Sequence, residues 1–166
     1  LVGSEMCIRD RLFVFREVIM KKIVYVDMDG VLVDFNSGVD SLTFPEQLEY
    51  EGMYDKMPGI FSRMEPMPGA IDAFKKLSKK YDVYILSTAP WGNASAWSDK
   101  YEWVEGNLGE AAVKRLILSH NKHLNMGDYL IDDRTANGAG QFQGEHIHFG
   151  KGEFPDWKSV LTYLEA

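Results

Sequence analysis

Five runs of apolar, β-branched or aromatic residues punctuate the chain. They are KIVYVD near 22–27, DVYILS near 82–87, RLILS near 115–119, DYLID near 128–132 and HIHF near 146–149. Most are continuously apolar rather than alternating, which suits parallel strands covered on both faces. Helical patterns lie between them. PGAIDAFKKLSKK (68–80) opens with Pro68 and closes in lysines, as the two ends of a helix prefer, and Ile71, Phe74 and Leu77 form its apolar stripe. SAWSDKYEWVEGNLG (95–109) places Trp97, Tyr101 and Val104 on one face, and PDWKSVLTYLEA (155–166) turns Val160, Leu161 and Leu164 inward. Strands alternating with helices predict a three-layer α/β sandwich around a mostly parallel five-stranded sheet, joined by right-handed crossovers.

One connection breaks the rhythm. About forty residues separate the first strand from the helix at 68–80, where a connection of about 2–6 is usual. The pattern predicts a small helical cap there, residues about 36–66, over the C-terminal edge of the sheet. Open α/β sheets bind ligands at that edge.

Polar residues gather at the same edge. Strand one ends in Asp27 and Asp29, strand two in Ser87 and Thr88, and strand four in Asp132, Asp133 and Arg134; Lys122 follows strand three. Clustered carboxylates repel unless a cation or proton intervenes. An all-oxygen set of this kind suits Mg2+, which commonly binds one or two carboxylates together with a phosphate. The ammonium and hydroxyl would face phosphoryl oxygens, the charge neutralisation that phosphoryl transfer needs. A carboxylate can also attack phosphorus and form an aspartyl-phosphate.

The ordered set DMDGV, ST ending strand two, a lysine after strand three and IDD ending strand four resembles the haloacid dehalogenase superfamily of phosphohydrolases. More narrowly, VDMDGVLVDF, MEPMPGAIDAF, LSTAPW, YEWVEGNLG, LILSHNK and YLIDDR resemble the 5'(3')-deoxyribonucleotidases, the cytosolic type C nucleotidases, over roughly Met20 to Tyr163. The resemblance implies a Rossmann-like sandwich and a cytoplasmic phosphoric monoester hydrolase. It would be Mg2+-dependent, act on nucleoside monophosphates, preferentially deoxyribonucleotides, and pass through an aspartyl-phosphate. It implies Asp27 as nucleophile and metal ligand, and Asp29 as acid and base with its backbone carbonyl on the metal. Thr88 and Lys122 would bind phosphate, Asp133 the metal, with Asp132 supporting; Phe35 and Arg134 would lie near the substrate. Apart from the resemblance, Phe35, Phe61 and Trp91 are the aromatic candidates for stacking a base, with core packing the alternative for each. The chain departs from the family at Ala89, where a second hydroxyl is usual. Two other functions are carried alongside: a sugar-phosphate or other small phosphomonoester phosphatase of the same superfamily, and a non-catalytic nucleotide- or phosphate-binding module.

Composition narrows the partners. Of 166 residues, 45% are apolar and 26% charged, with a formal charge of −7, which disfavours a nucleic acid polymer as partner. No apolar run has the length of a membrane span. The expected partner is a small phosphomonoester, a nucleotide, and a homodimer stays open. His120, His123, His146 and His148 lack the pair spacing of a zinc set, and read better as core or surface histidines. LVGSEMCIRD, which holds the single Cys7, resembles a translated sequencing adapter. Residues 1–19 are therefore expected to be a non-native prefix, and residues 20–166 a single phosphohydrolase domain.

Overall fold

The computed structural model describes residues 20–166. The expected prefix and Cys7 lie outside the described residues. In chain order the elements are β1 (Ile23–Val26), β2 (Val33–Asp34), α1 (Phe35–Asp40), α2 (Phe44–Glu49), β3 (Glu65–Pro66) and α3 (Ala70–Lys80). They are followed by β4 (Asp82–Ser87), α4 (Ser95–Leu108), β5 (Leu116–Leu118), β6 (Tyr129–Asp132), β7 (Glu145–His148) and α5 (Trp157–Tyr163). The five apolar runs are the five strands of a parallel sheet in the order β5-β4-β1-β6-β7.

β1 is the middle strand, which explains its apolar run: Val24 and Val26 are wholly buried on one face and Tyr25 nearly so on the other. The chain runs outward from β1 to β4 and β5, then crosses back to lay β6 and β7 on the other side. The order therefore reverses between β1 and β6. Loops leaving two such strands diverge and open a crevice at their C-terminal ends.

α3, α4 and α5 contribute to one large core with Val24, Val26, Ile85, Ile131 and Ile147. α3 buries Ala70, Ala73, Phe74 and Leu77, so the expected stripe is present, with small residues where the helix approaches the sheet. The opposite face carries a smaller cluster of Tyr25, Leu86, Leu130, Ala139 and Phe142. A short 3-10 turn at Ala139–Gln141 helps cover it.

The face expected of α4 is corrected. Trp97 and Tyr101 are 45 and 54% exposed, while Ala96, Asp99, Lys100, Trp103, Val104 and Leu108 are buried. The inward face includes two charged side chains, one paired within the helix and one with a partner on the sheet edge. Asp99 accepts from Ser95, and Lys100 reaches Asp29.

The long connection leaves and returns through a short antiparallel stem, Val33 opposite Pro66 and Asp34 opposite Glu65. Between these strands lie α1, α2 and 3-10 turns at Tyr54–Lys56 and Ile60–Arg63. Asp34 caps α1 by accepting from Asn36 N at 3.0 Å, and a Thr43–Glu46 capping box starts α2. The insertion buries Leu42, Met57, Ile60, Phe61 and Met64 in the main core. Polar ties secure it: Trp103 Nε1 donates to Met64 O at 2.8 Å, and Asn93 Nδ2 donates to Asp55 O and Met57 O at 2.8 and 3.0 Å.

Candidate active site

The site starts where β1 leaves the sheet. Asp27 N still donates to Ile131 O at 2.9 Å, so the strand pairing with β6 carries the acid to the crevice floor. Its carboxylate is 2% exposed. Oδ1 accepts from Met28 N at 2.8 Å, and Oδ2 faces Lys122 Nζ at 3.0 Å. The chain then turns tightly, with the N–H groups of Val31, Leu32 and Val33 converging on Met28 O. Gly30 makes this possible twice over. Its φ of 76° is the left-handed region that favours glycine, and a Cβ there would stand 2.5 Å from Asp133 Oδ2. The absent side chain lets the β1 and β6 loops touch.

β6 delivers the second pair of acids in two different settings. Asp132 is buried and fully engaged: Oδ2 accepts from Lys122 Nζ at 2.5 Å and Oδ1 from Arg134 N at 2.9 Å. Asp133 faces the crevice, and its buried Oδ1 stands at an ion-pair distance of 3.5 Å from Arg134 Nε without accepting a hydrogen bond. His146 and His148 from β7 stack at 5.1 Å, with Nε2 atoms 3.2 and 2.8 Å from the carbonyls of Asp132 and Asp133. The two histidines brace the acidic loop, and burial holds His146 below the usual imidazole range.

Oxygens of Asp27, Asp132 and Asp133 lie within 4.8 Å of one another. One ammonium, Lys122, sits between two of them, Asp27 and Asp132. Burial works against its charge, but Asp27 and Asp132 outweigh that and hold Lys122 above the usual lysine range. The acids remain short of compensation. Burial, with Asp27 alongside, pushes Asp132 up to about 6 and raises Asp133 as well. Three acids this close, with one ammonium between two of them, suit a further cation. Asp133 Oδ1, which accepts no hydrogen bond, together with Asp27 and the backbone of the β1 turn is a donor set that fits a hard divalent ion.

Thr88 sits at the end of β4, and its hydroxyl donates to Ser119 O at 2.7 Å. To donate to a ligand, that proton has to rotate away. Asp29 and Thr88 line a cavity of about 820 Å3 together with Asp133, Phe35, Trp91 and Arg134. Its size is within the roughly 300–1,000 Å3 usual for small-molecule sites. Phe35 packs on Phe61 from the insertion at 5.9 Å, and Trp91 stands at the rim, 82% exposed. All residues expected at the site thus converge on one crevice. Asp29, Phe35, Thr88, Trp91, Asp133 and Arg134 line the cavity, whereas Asp27, Asp132 and Lys122 are buried beside Asp133 and do not line it.

Sequence reasoning missed Lys100. It projects from α4, is wholly buried, and donates to Asp29 Oδ1 and Oδ2 at 2.9 and 2.8 Å and to Ser87 Oγ at 3.2 Å. Burial raises Asp29 above the usual carboxylate range; Lys100 opposes that rise, and Asp27 adds to it. The available signal was its position four residues before Val104, on the side of the helix that buries Ala96, Trp103 and Leu108.

The parallel sheet, with acids, a lysine and a threonine gathered at its C-terminal edge, has the fold of solved hydrolases of the haloacid dehalogenase class. Two solved structures share the fold. The HAD-hydrolase YfnB of Bacillus subtilis, bound to magnesium, superposes with a TM-score of 0.61 at 12% identity, over 89% of this chain and 100% of that one. The haloacid dehalogenase-like protein SP0104 of Streptococcus pneumoniae gives 0.53 at 14% identity, over 87% and 98%.

The chain belongs to the family of cytosolic type C 5' nucleotidases, deoxy (pyrimidine), whose model matches residues 36–155. It is 67% identical to a Vibrio phage KVP40 protein named for 5'(3')-deoxyribonucleotidase activity, over 88% of this chain and 86% of that one. It is 32% identical to the human cytosolic-type 5'(3')-deoxyribonucleotidase, over 83% and 78%. The protein is accordingly a phosphoric monoester hydrolase of the 5'-nucleotidase type. Among the described residues no helix is long and apolar enough to cross a membrane.

Proposed function

We propose that the protein is a Mg2+-dependent nucleotidase that releases phosphate from nucleoside monophosphates, deoxyribonucleotides foremost, through an aspartyl-phosphate on Asp27. The observation that carries this reading is Asp27 itself. It is a buried carboxylate fixed by Met28 N and Lys122, set among two further acids, of which Asp133 lines the cavity of about 820 Å3. Residues 20–166 act as one catalytic domain in this reading, with the helical insertion as its cap. The expectation of a cytoplasmic enzyme draws support from the cytosolic-type human relative.

Asp27, Asp133 and the backbone carbonyl of Asp29 would hold the metal, with Asp132 and Lys122 keeping the loop in place. Bound Mg2+ supplies charge neutralisation at the phosphoryl oxygens. An oxygen of Asp27 attacks phosphorus as the bond to the nucleoside oxygen breaks, and Asp29 gives that oxygen its proton. Asp29, now a carboxylate, takes a proton from a water whose oxygen attacks phosphorus. The bond to Asp27 breaks, and phosphate leaves. Lys122 and a rotated Thr88 hydroxyl hold the phosphoryl group through both steps. Phe35 and Trp91 offer aromatic faces to the base, and Arg134 a charge at the rim.

Phosphate release from a panel of ribo- and deoxyribonucleoside monophosphates, with and without Mg2+, tests the reading. Turnover should require the metal and exceed that of sugar phosphates. Asp27→Asn should remove turnover while keeping the native circular dichroism spectrum; substantial phosphatase activity in that variant would sink the mechanism.

A further inference from the structure

Lys100 lies on α4, away from the strand ends that the sequence motifs mark, yet it is enclosed behind the site. Its three protons have three acceptors, Asp29 Oδ1, Asp29 Oδ2 and Ser87 Oγ, and the ring of Phe61 covers the ammonium at 4.5 Å. Two N–H bonds to both oxygens of one carboxylate restrict its rotation in a way that one bond does not. Asp29 is still 15% exposed and lines the cavity, so the carboxyl group is gripped from behind and presented forward. A buried ion pair by itself is weak support for a fold. This one sits at the cavity wall and is closed over by an aromatic from the insertion, where orientation has a use.

We propose that Lys100 is a positioning residue for the transferred proton. It aims Asp29 at the oxygen leaving phosphorus and holds the carboxylate that remains when the proton has gone. The inference rests on the acid and base role proposed for Asp29. When the Asp27–phosphorus bond forms and the phosphorus–nucleoside oxygen bond breaks, the Asp29 proton passes to the departing oxygen. Asp29 keeps the electron pair as a carboxylate facing Lys100, and regains a proton from water in the second step. Lys100 neither gains nor loses a proton in either step.

The readout is the leaving group. A nucleoside oxygen departs poorly without a proton, whereas 4-nitrophenolate departs unaided. Lys100→Met keeps the length of the aliphatic stem and removes the ammonium. Single-turnover release of nucleoside should fall about 10- to 100-fold, a fraction of what general acid catalysis typically contributes, while first-turnover release of 4-nitrophenolate changes less than about threefold. Equal losses on both substrates, or no loss on either, overturn the inference. Asp29→Asn is measured alongside. A split between substrates in Asp29→Asn without one in Lys100→Met rejects the role of Lys100 alone, and no split in Asp29→Asn rejects the acid role beneath it. Should Lys100→Met fail to fold, Lys100→Gln, which keeps a donor, is judged by the same ratio and should retain part of the nucleoside rate.

Discussion

Asp132 and Asp133 are neighbours in sequence with opposite circumstances. Asp132 spends both oxygens inside the protein, on Lys122 and Arg134 N, whereas Asp133 keeps a buried oxygen without a donor. Of the two, Asp133 has the free coordination. The crowding has a pH signature. Asp132 has its folded value raised to about 6, so the folded protein holds that proton more tightly than the unfolded chain. The stability this group contributes is present below the ordinary carboxylate range and is lost as pH rises through about 6. A bound cation relieves the resulting repulsion only where the acids are ionised. Mg2+ should therefore raise the Tm more at about pH 7.5 than at about pH 5, as differential scanning calorimetry at both values would show. An equal shift at both would mean that the metal does not see these carboxylates. The acids and Lys122 were legible because each ends an apolar strand or follows one. Lys100 was not, because a lysine in a helix reads as solvated until its partner, 71 positions away, is brought to it.

At the scale of elements, strands and helices fall within a few residues of where the apolar runs place them. Burial on both faces writes a continuous signal. β2 and β3 escaped because two residues each show no periodicity. The face of α4 was misread for a physical reason. Its aromatic spacing through Trp97 and Tyr101 competes with a true inward face that includes two charges, and only tertiary partners reveal which wins. Trp103 is where α4 grips the insertion, through its indole N–H to Met64 O. Trp103→Phe keeps much of the ring and leaves that carbonyl without its donor, so it should cost about 1–3 kcal/mol in urea unfolding. Loosening of the insertion should raise KM more than it lowers kcat.

For the whole molecule, the sheet order decides where chemistry can happen. Reversal between β1 and β6 brings Asp27 and Asp133 together at the C-terminal edge of the sheet, where Asp133 lines the cavity. The core lies below that edge. Phe74, a wholly buried residue of α3, does not line the cavity. Phe74→Ala should cost about 3–5 kcal/mol of stability. Its kcat per folded molecule should stay near that of the parent at 25 °C, which separates scaffold from site when denaturation midpoints and active-site titrations are compared. Family membership was legible because motifs sit at strand ends; the shape of the cavity was not, because the insertion that walls it follows no repeating pattern.

The stem of β2 and β3 has a consequence for exchange between relatives. It pairs Asp34 with Glu65, so the thirty-residue excursion departs and returns about one strand spacing, roughly 4.8 Å, apart. Loops anchored in this way can be lengthened, shortened or swapped without moving the sheet that carries the nucleophile. Grafting the corresponding excursion of another nucleotidase onto this stem becomes a way to trade substrate preference as a single cassette. A usable cassette has to bring an aromatic ring to the place of Phe61, because that ring closes the far side of Lys100.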